Sequence, residues 1–125
     1  MTIKLSKSSM GLIEDCPRCF WLQIIKKVKR PAGIFPSLPS GMDKILKEHF
    51  DKFRKDNDLP PELKKNNTSF KLFKDMKLLN IWRNNKRGIE YHDEENDIIL
   101  MGAVDDILEN NNKLIVLDYK TRGFA

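Results

Sequence analysis

The sequence predicts an α+β domain, with N-terminal helices followed by an antiparallel strand meander. Three observations carry that prediction. Apolar residues recur at helical spacing through the N-terminal part of the chain. β-like runs joined by Asn- and Glu-rich turn signals make up the C-terminal part. The length, 125 residues with 40% hydrophobic, suits one small domain that can bury a core. No internal repeat or low-complexity tract interrupts it, so residues 1–125 read as a single domain.

Residues 1–30 read as helical, with Ser6, Ser8 and Ser9 as candidate N-caps. Pro17 suits the first turn of a second helix, whose stripe is Phe20, Ile24, Ile25 and Val28. Residues 30–41 hold three prolines and two glycines and read as a loop. Ser40 and Asp43 have the spacing of a capping box for the next helix. Met42, Ile45, Leu46, His49, Phe50 and Phe53 form its inward face, with Lys44, Lys47, Glu48, Asp51 and Lys52 opposite. A polar connector with a double proline fills 55–69, before a short helix that turns Phe73, Met76, Leu79 and Trp82 inward. The runs "GIEYHD", "DIILMGAVDDILE" and "KLIVLDYKT" then read as strands. In the last of these, Leu114 to Leu117 are expected to bury the strand.

The register of the last hairpin places the chemistry. Asn tolerates the left-handed backbone that two-residue hairpin turns need, and Asn110, Asn111 and Asn112 lie at the turn. With Asn111 and Asn112 as the central pair, Asn110 pairs with Lys113 and Asp105 faces Asp118, with Lys120 on the same face. A three-residue loop would instead put Asp106 on the face of Asp118. Either register sets two carboxylates together near a lysine, which is destabilising unless something neutralises them. A divalent cation does so, and Mg²⁺ is commonly held by one or two carboxylates with water and substrate phosphates. Metal-assisted phosphodiester hydrolysis is the chemistry this arrangement suggests.

"GAVDDIL", then "LIVLDYKTRG", with "LKEHF" upstream, resembles the PD-(D/E)XK nuclease superfamily, in particular its RecB-like and CRISPR-associated exonuclease-like branch. The N-terminal "SSMGLIEDCPRCFWL" is similar to the lead-in helices of that branch. The resemblance implies a restriction-endonuclease-like core and a Mg²⁺- or Mn²⁺-dependent deoxyribonuclease. His49, Asp105, Asp118 and the carbonyl of Tyr119 would be its metal ligands. Asp105, Asp118 and Lys120 would be catalytic, with Lys120 positioning the attacking water. The family carries a further helix and strand after the lysine, and the chain ends at Ala125 before them, so a core truncated at its C-terminal end is implied.

Composition sets the remaining expectations. A formal net charge of +5 is compatible with DNA as partner. A helicase or CRISPR-type protein partner is left open. The longest apolar runs fall short of a bilayer span and no secretory signal is visible, which points to a cytoplasmic protein without a membrane partner. Cys16 and Cys19 form a C-x-x-C unit, half of a zinc or iron–sulfur site with no second pair in the chain; two free thiols packed beside Phe20 and Trp21 is the simpler reading. His92 reads as a solvated strand-end residue. Two further functions remain in competition: a non-catalytic nucleic-acid-binding module on the same fold, and an unrelated α+β domain whose Asp/Lys hairpin is an ion-pair network.

Overall fold

The structure, a computed structural model, describes residues 1–66 and 69–121. Strand β1 (Ile3–Ser6) stands where a helix is expected from the sequence. It pairs in parallel with a later strand, Ile3 opposite Ile98 and Ser6 opposite Met101. Four residues hold too little helical preference to resist a ladder supplied by a distant strand. Ser6 then caps helix α1 (Lys7–Asp15) in a capping box with Ser9. Cys16, extended at φ −162°, ends α1 and caps α2 (Pro17–Ile24), and Pro17 opens that helix as expected.

Helix α3 (Ser37–Lys55) begins within the expected 30–41 loop. Its N-cap is Pro36 and no side chain caps it, so the Ser40–Asp43 box does not form; Asp43 ion-pairs with Lys47 instead, at 2.7 Å. The inward stripe is also turned. Phe50 and Arg54 are buried while Ile45 is 58% exposed, and Lys47 and Asp51, assigned to the wet face, are half-buried. Charges enter that face because each meets an opposite charge there. The expected 55–69 connector contains a single helical turn, α4 (Pro61–Lys64); Asn67 and Thr68 lie outside the described residues. Strand β2 (Lys71–Leu72) and helix α5 (Met76–Trp82) follow, and α5 buries Leu79 completely.

The C-terminal strands do not make one meander. β3 (Ile89–Asp93) and β4 (Ile98–Gly102) are antiparallel, and with β1 they form a mixed sheet of order β1–β4–β3. β5 (Asp106–Asn110) and β6 (Lys113–Leu117) join β2 in a second, antiparallel sheet of order β2–β5–β6. The run "DIILMGAVDDILE" is thus two strands in two sheets, parted at residues 103–105. Gly88 allows the approach that precedes this break. Its φ is +56°, and a Cβ there would sit 2.4 Å from the Gly102 carbonyl oxygen.

The fold is therefore mixed α+β, with helices ahead of most of the strands. One core unites Phe50 of α3, Leu72 of β2 and Leu108 of β5, with Phe53, Leu59, Leu63, Phe70, Leu117 and Tyr119 packed round it. β5 is the central strand, and Asp106, Ile107 and Leu108 are all buried. β6 is an edge strand, and here the expectation of a buried strand fails: Leu114 is 53% and Val116 61% exposed. Only Leu117 turns partly inward. Among the described residues no helix is long and apolar enough to cross a membrane.

Candidate functional site

The hairpin turn forms as the asparagines suggest. Asn111 and Asn112 have φ of 46° and 63°, the left-handed pair of a two-residue type I′ turn. Asn110 pairs with Lys113 and Asp106 with Leu117, so the ladder stops one residue short of Asp105 and Asp118. Those two leave the strands side by side, and their carboxyl groups hydrogen-bond each other.

A row of charged groups runs through the pair. Lys120 Nζ lies 2.6 Å from Asp118 Oδ2. On the other side Lys47 Nζ is 3.5 Å from Asp105 Oδ1 and 2.7 Å from Asp43 Oδ2. The Tyr119 backbone N–H donates to Asp105 Oδ2 at 2.8 Å. Past the end of β6 the side chains still alternate, Asp118 and Lys120 facing solvent at 54% and 73% side-chain exposure and the Tyr119 ring turning inward.

Burial raises the Asp105 carboxyl above its ordinary value of 3.8, and the hydrogen bond with Asp118 raises it further. Asp118 is held below 3.8, first by Lys120 and then by Asp105. The two neighbours are thus shifted in opposite directions, Asp105 up and Asp118 down. Lys120 is raised by Asp118.

Beneath this row lies a buried network that sequence reasoning missed. Asp106 is fully buried. Its Oδ1 accepts from Arg54 Nη2 and from the Ile107 N–H, and its Oδ2 from Arg83 Nη2 at 3.0 Å and the Tyr119 hydroxyl at 2.7 Å. Asp51 bridges the same two arginines. Arg54 Nε also donates to the Phe73 carbonyl, and Arg83 Nε to the Asp105 carbonyl, at 2.7 and 2.8 Å. The Tyr119 phenol is pushed well above its ordinary value, first by burial and then by Asp106. Among the described residues no buried side-chain nitrogen or oxygen lacks a hydrogen-bond partner. Tyr119 thus joins both layers, its amide on Asp105 and its phenol on Asp106. The available signal was an Arg at position 54 of the lysine-rich α3 and another at position 83, directly after α5, since buried bidentate pairing favours guanidinium.

Of the residues marked from sequence, Asp105, Asp118, Tyr119 and Lys120 converge. His49 is placed elsewhere: its Nε2 lies 3.3 Å from Glu62 Oε2, and its ring packs edge-on against Phe50 and Phe53. At about 100° per residue, His49 and Lys47 project from nearly opposite sides of α3. Lys47 is the α3 side chain delivered to the pair. Asp106, the fallback partner, is absorbed by arginines. Among the described residues no three His, Cys, Asp or Glu side chains converge as a metal-binding group. Cys16 and Cys19 are free and half-buried. His92 is exposed, with Nε2 3.6 Å from Glu90 Oε2.

No protein-family model, curated protein or solved structure matches this chain.

Proposed function

We propose that the protein is a divalent-metal-dependent DNA nuclease of the RecB-like PD-(D/E)XK type, built on a restriction-endonuclease-like core. The observation that carries the reading is the contact of the Asp105 and Asp118 carboxyl groups, with Lys120 at 2.6 Å from Asp118. Two adjoining carboxyl groups offer hard oxygen donors that a dication can bind. Asp105, Asp118 and the Tyr119 carbonyl would hold a Mg²⁺ or Mn²⁺ ion, which would supply Lewis acidity toward a phosphate oxygen and a nucleophilic water. Lys120, exposed and cationic, is the group that orients that water and faces the negative charge building on the phosphate. Tyr119 holds Asp105 in place through its amide. His49 is left out of this ligand set because it is engaged by Glu62.

The second reading, a nucleic-acid-binding module without turnover, is favoured by Lys47. Its ammonium already faces Asp105 and relieves the pair without a metal. Lys52, Lys55 and Lys74 also line an open groove beside α3, together with Glu48 and Asp51, a surface a phosphate backbone could follow.

Cleavage of end-labelled single- and double-stranded DNA by the purified chain, with and without Mn²⁺, separates the two. The nuclease reading expects Mn²⁺-dependent products that disappear in Asp118→Asn and Lys120→Ala. Unchanged cleavage in both variants removes the assignment. Salt-sensitive binding with no cleavage at any metal concentration establishes the binding module instead.

A further inference from the structure

The corner between α1 and α2 carries chemistry that the carboxylate pair does not use. Cys16 occupies the corner itself. Its N–H donates to the Leu12 carbonyl at 2.9 Å, closing α1, and its carbonyl accepts from the Phe20 N–H at 3.0 Å, opening α2. Its sulfur is the N-cap acceptor, receiving the Cys19 N–H at 3.3 Å. Helix geometry sets Cα atoms three residues apart at about 5 Å. A disulfide tolerates about 4.4–6.8 Å. The Arg30 guanidinium, arriving from the segment after α2, lies within hydrogen-bonding reach of both thiols.

We propose that Cys16 and Cys19 form a thiol–disulfide exchange site whose substrates are low-molecular-weight disulfides. The Cys16 thiolate attacks one sulfur of a disulfide RSSR. The S–S bond breaks, a Cys16–S–S–R mixed disulfide forms, and RS⁻ leaves. The Cys19 thiolate then attacks Cys16 Sγ, closing the Cys16–Cys19 disulfide and releasing the second RS⁻. The protein dithiol loses two electrons, RSSR gains them, and the two thiol protons end on two RSH.

Each requirement has a residue. A reactive thiol needs a stabilised thiolate. Cys16 has the positive end of α2, a backbone N–H on its sulfur and a guanidinium beside it. Its thiol is held below the ordinary value, chiefly by hydrogen bonding with the Cys19 side chain and then its N–H, with Arg30 adding. The resolving thiol sits one helical turn away, so closure is intramolecular and needs no rearrangement of the backbone. A metal site would need more donors, because two thiolates are half of a tetrahedral set. Among the described residues no third His, Cys, Asp or Glu joins them.

The test uses the full chain, reduced and then exposed to oxidised glutathione at neutral pH, quenched in acid, alkylated with a maleimide and weighed intact. The expected product is a monomer two hydrogens lighter with no alkylatable thiol, restored by reduced glutathione. Cys19→Ser should stop at one stable glutathione adduct on Cys16. Cys16→Ser should abolish closure while keeping its helical circular dichroism, because Ser is itself a strong N-cap. Arg30→Ala should slow the first step by roughly three- to tenfold, through loss of thiolate. The proposal is overturned if the wild-type chain stops at a persistent mixed disulfide, forms only intermolecular dimers, or is unreactive. It is equally overturned if the chain binds Zn²⁺ through both cysteines tightly enough to block oxidation.

Discussion

Asp105 and Asp106 are adjacent in the chain and opposite in their surroundings. Asp106 is fully buried among two guanidinium groups, a phenol and a backbone N–H, all of which donate to it. Asp105, one residue earlier, faces another carboxyl group at the rim and is pushed toward its neutral form. The difference lies in what each side chain meets. Asp106 is turned toward Arg54 of α3 and Arg83, which caps the C-terminal end of α5. Asp105 leaves the end of the ladder beside Asp118, with one lysine at 3.5 Å. A buried charge that is fully paired holds a fold in one arrangement, whereas a half-paired one at an opening is available to a ligand.

The sharpest way to break this comparison is to remove the buried member. Asp106→Ala leaves the Arg54 and Arg83 guanidinium groups, at 3% and 9% side-chain exposure, with Asp51 as their one remaining carboxylate. Breaking a buried ion pair from one side costs about 3–5 kcal/mol. Urea denaturation should show a loss of that order. A loss below about 1 kcal/mol would mean that the network is not the anchor of the site.

A middle-sized effect is expected at the turn that sets the register. Asn111 and Asn112 both hold positive φ, and forcing an ordinary side chain into that region costs about 1–2 kcal/mol. Asn111→Val should lose about that much stability. The pairing of Leu108 with Ile115 should nonetheless persist in cross-strand NOEs, because the arginines fix Asp106 independently of the turn. A slip of register in this variant would show that the turn alone, and not the buried network, places Asp105 beside Asp118.

The legible part of this site was the part written locally. Three asparagines between two apolar runs mark a turn, and of the two registers they allow the two-residue turn, which forms, sets Asp105 beside Asp118. Pro17 and Ser6 marked helix starts for the same reason, since caps are satisfied within a few residues. What was not legible depends on distant partners. β1 is a strand because β4 lies beside it, and "IKLS" carries no sign of that. The rotation of α3, which turns His49 to Glu62 and Lys47 to Asp105, follows from where Arg54 must go to reach Asp106, 52 residues away. An apolar stripe read by hydropathy alone counts Arg54 as solvent-facing, and so misplaces the helix face.

The smallest effect tests the comparison from the Asp105 side. Because burial raises its folded pKa above 3.8, the native state binds this proton more tightly than the unfolded chain does. The associated stability is fully present below pH 3.8 and is lost as pH rises through the folded value, leaving a half-buried carboxylate beside Asp118 at neutral pH. Asp118 works in the opposite sense, since its depressed pKa gives stability above 3.8 that is lost as pH falls, but its 54% exposure keeps that contribution small. Asp105→Asn keeps the shape and an oxygen for the Tyr119 N–H while removing the charge. It should therefore stabilise the fold at neutral pH by at most about 1 kcal/mol, with the gain fading in acid, while abolishing any metal-dependent cleavage. Thermal melts between pH 3 and 8 (a range set by about one unit below the carboxyl value to neutrality and above) read both signs. A variant that is less stable than wild type at neutral pH would show that Lys47 already neutralises Asp105, and that the pair is a closed ion cluster rather than an open site.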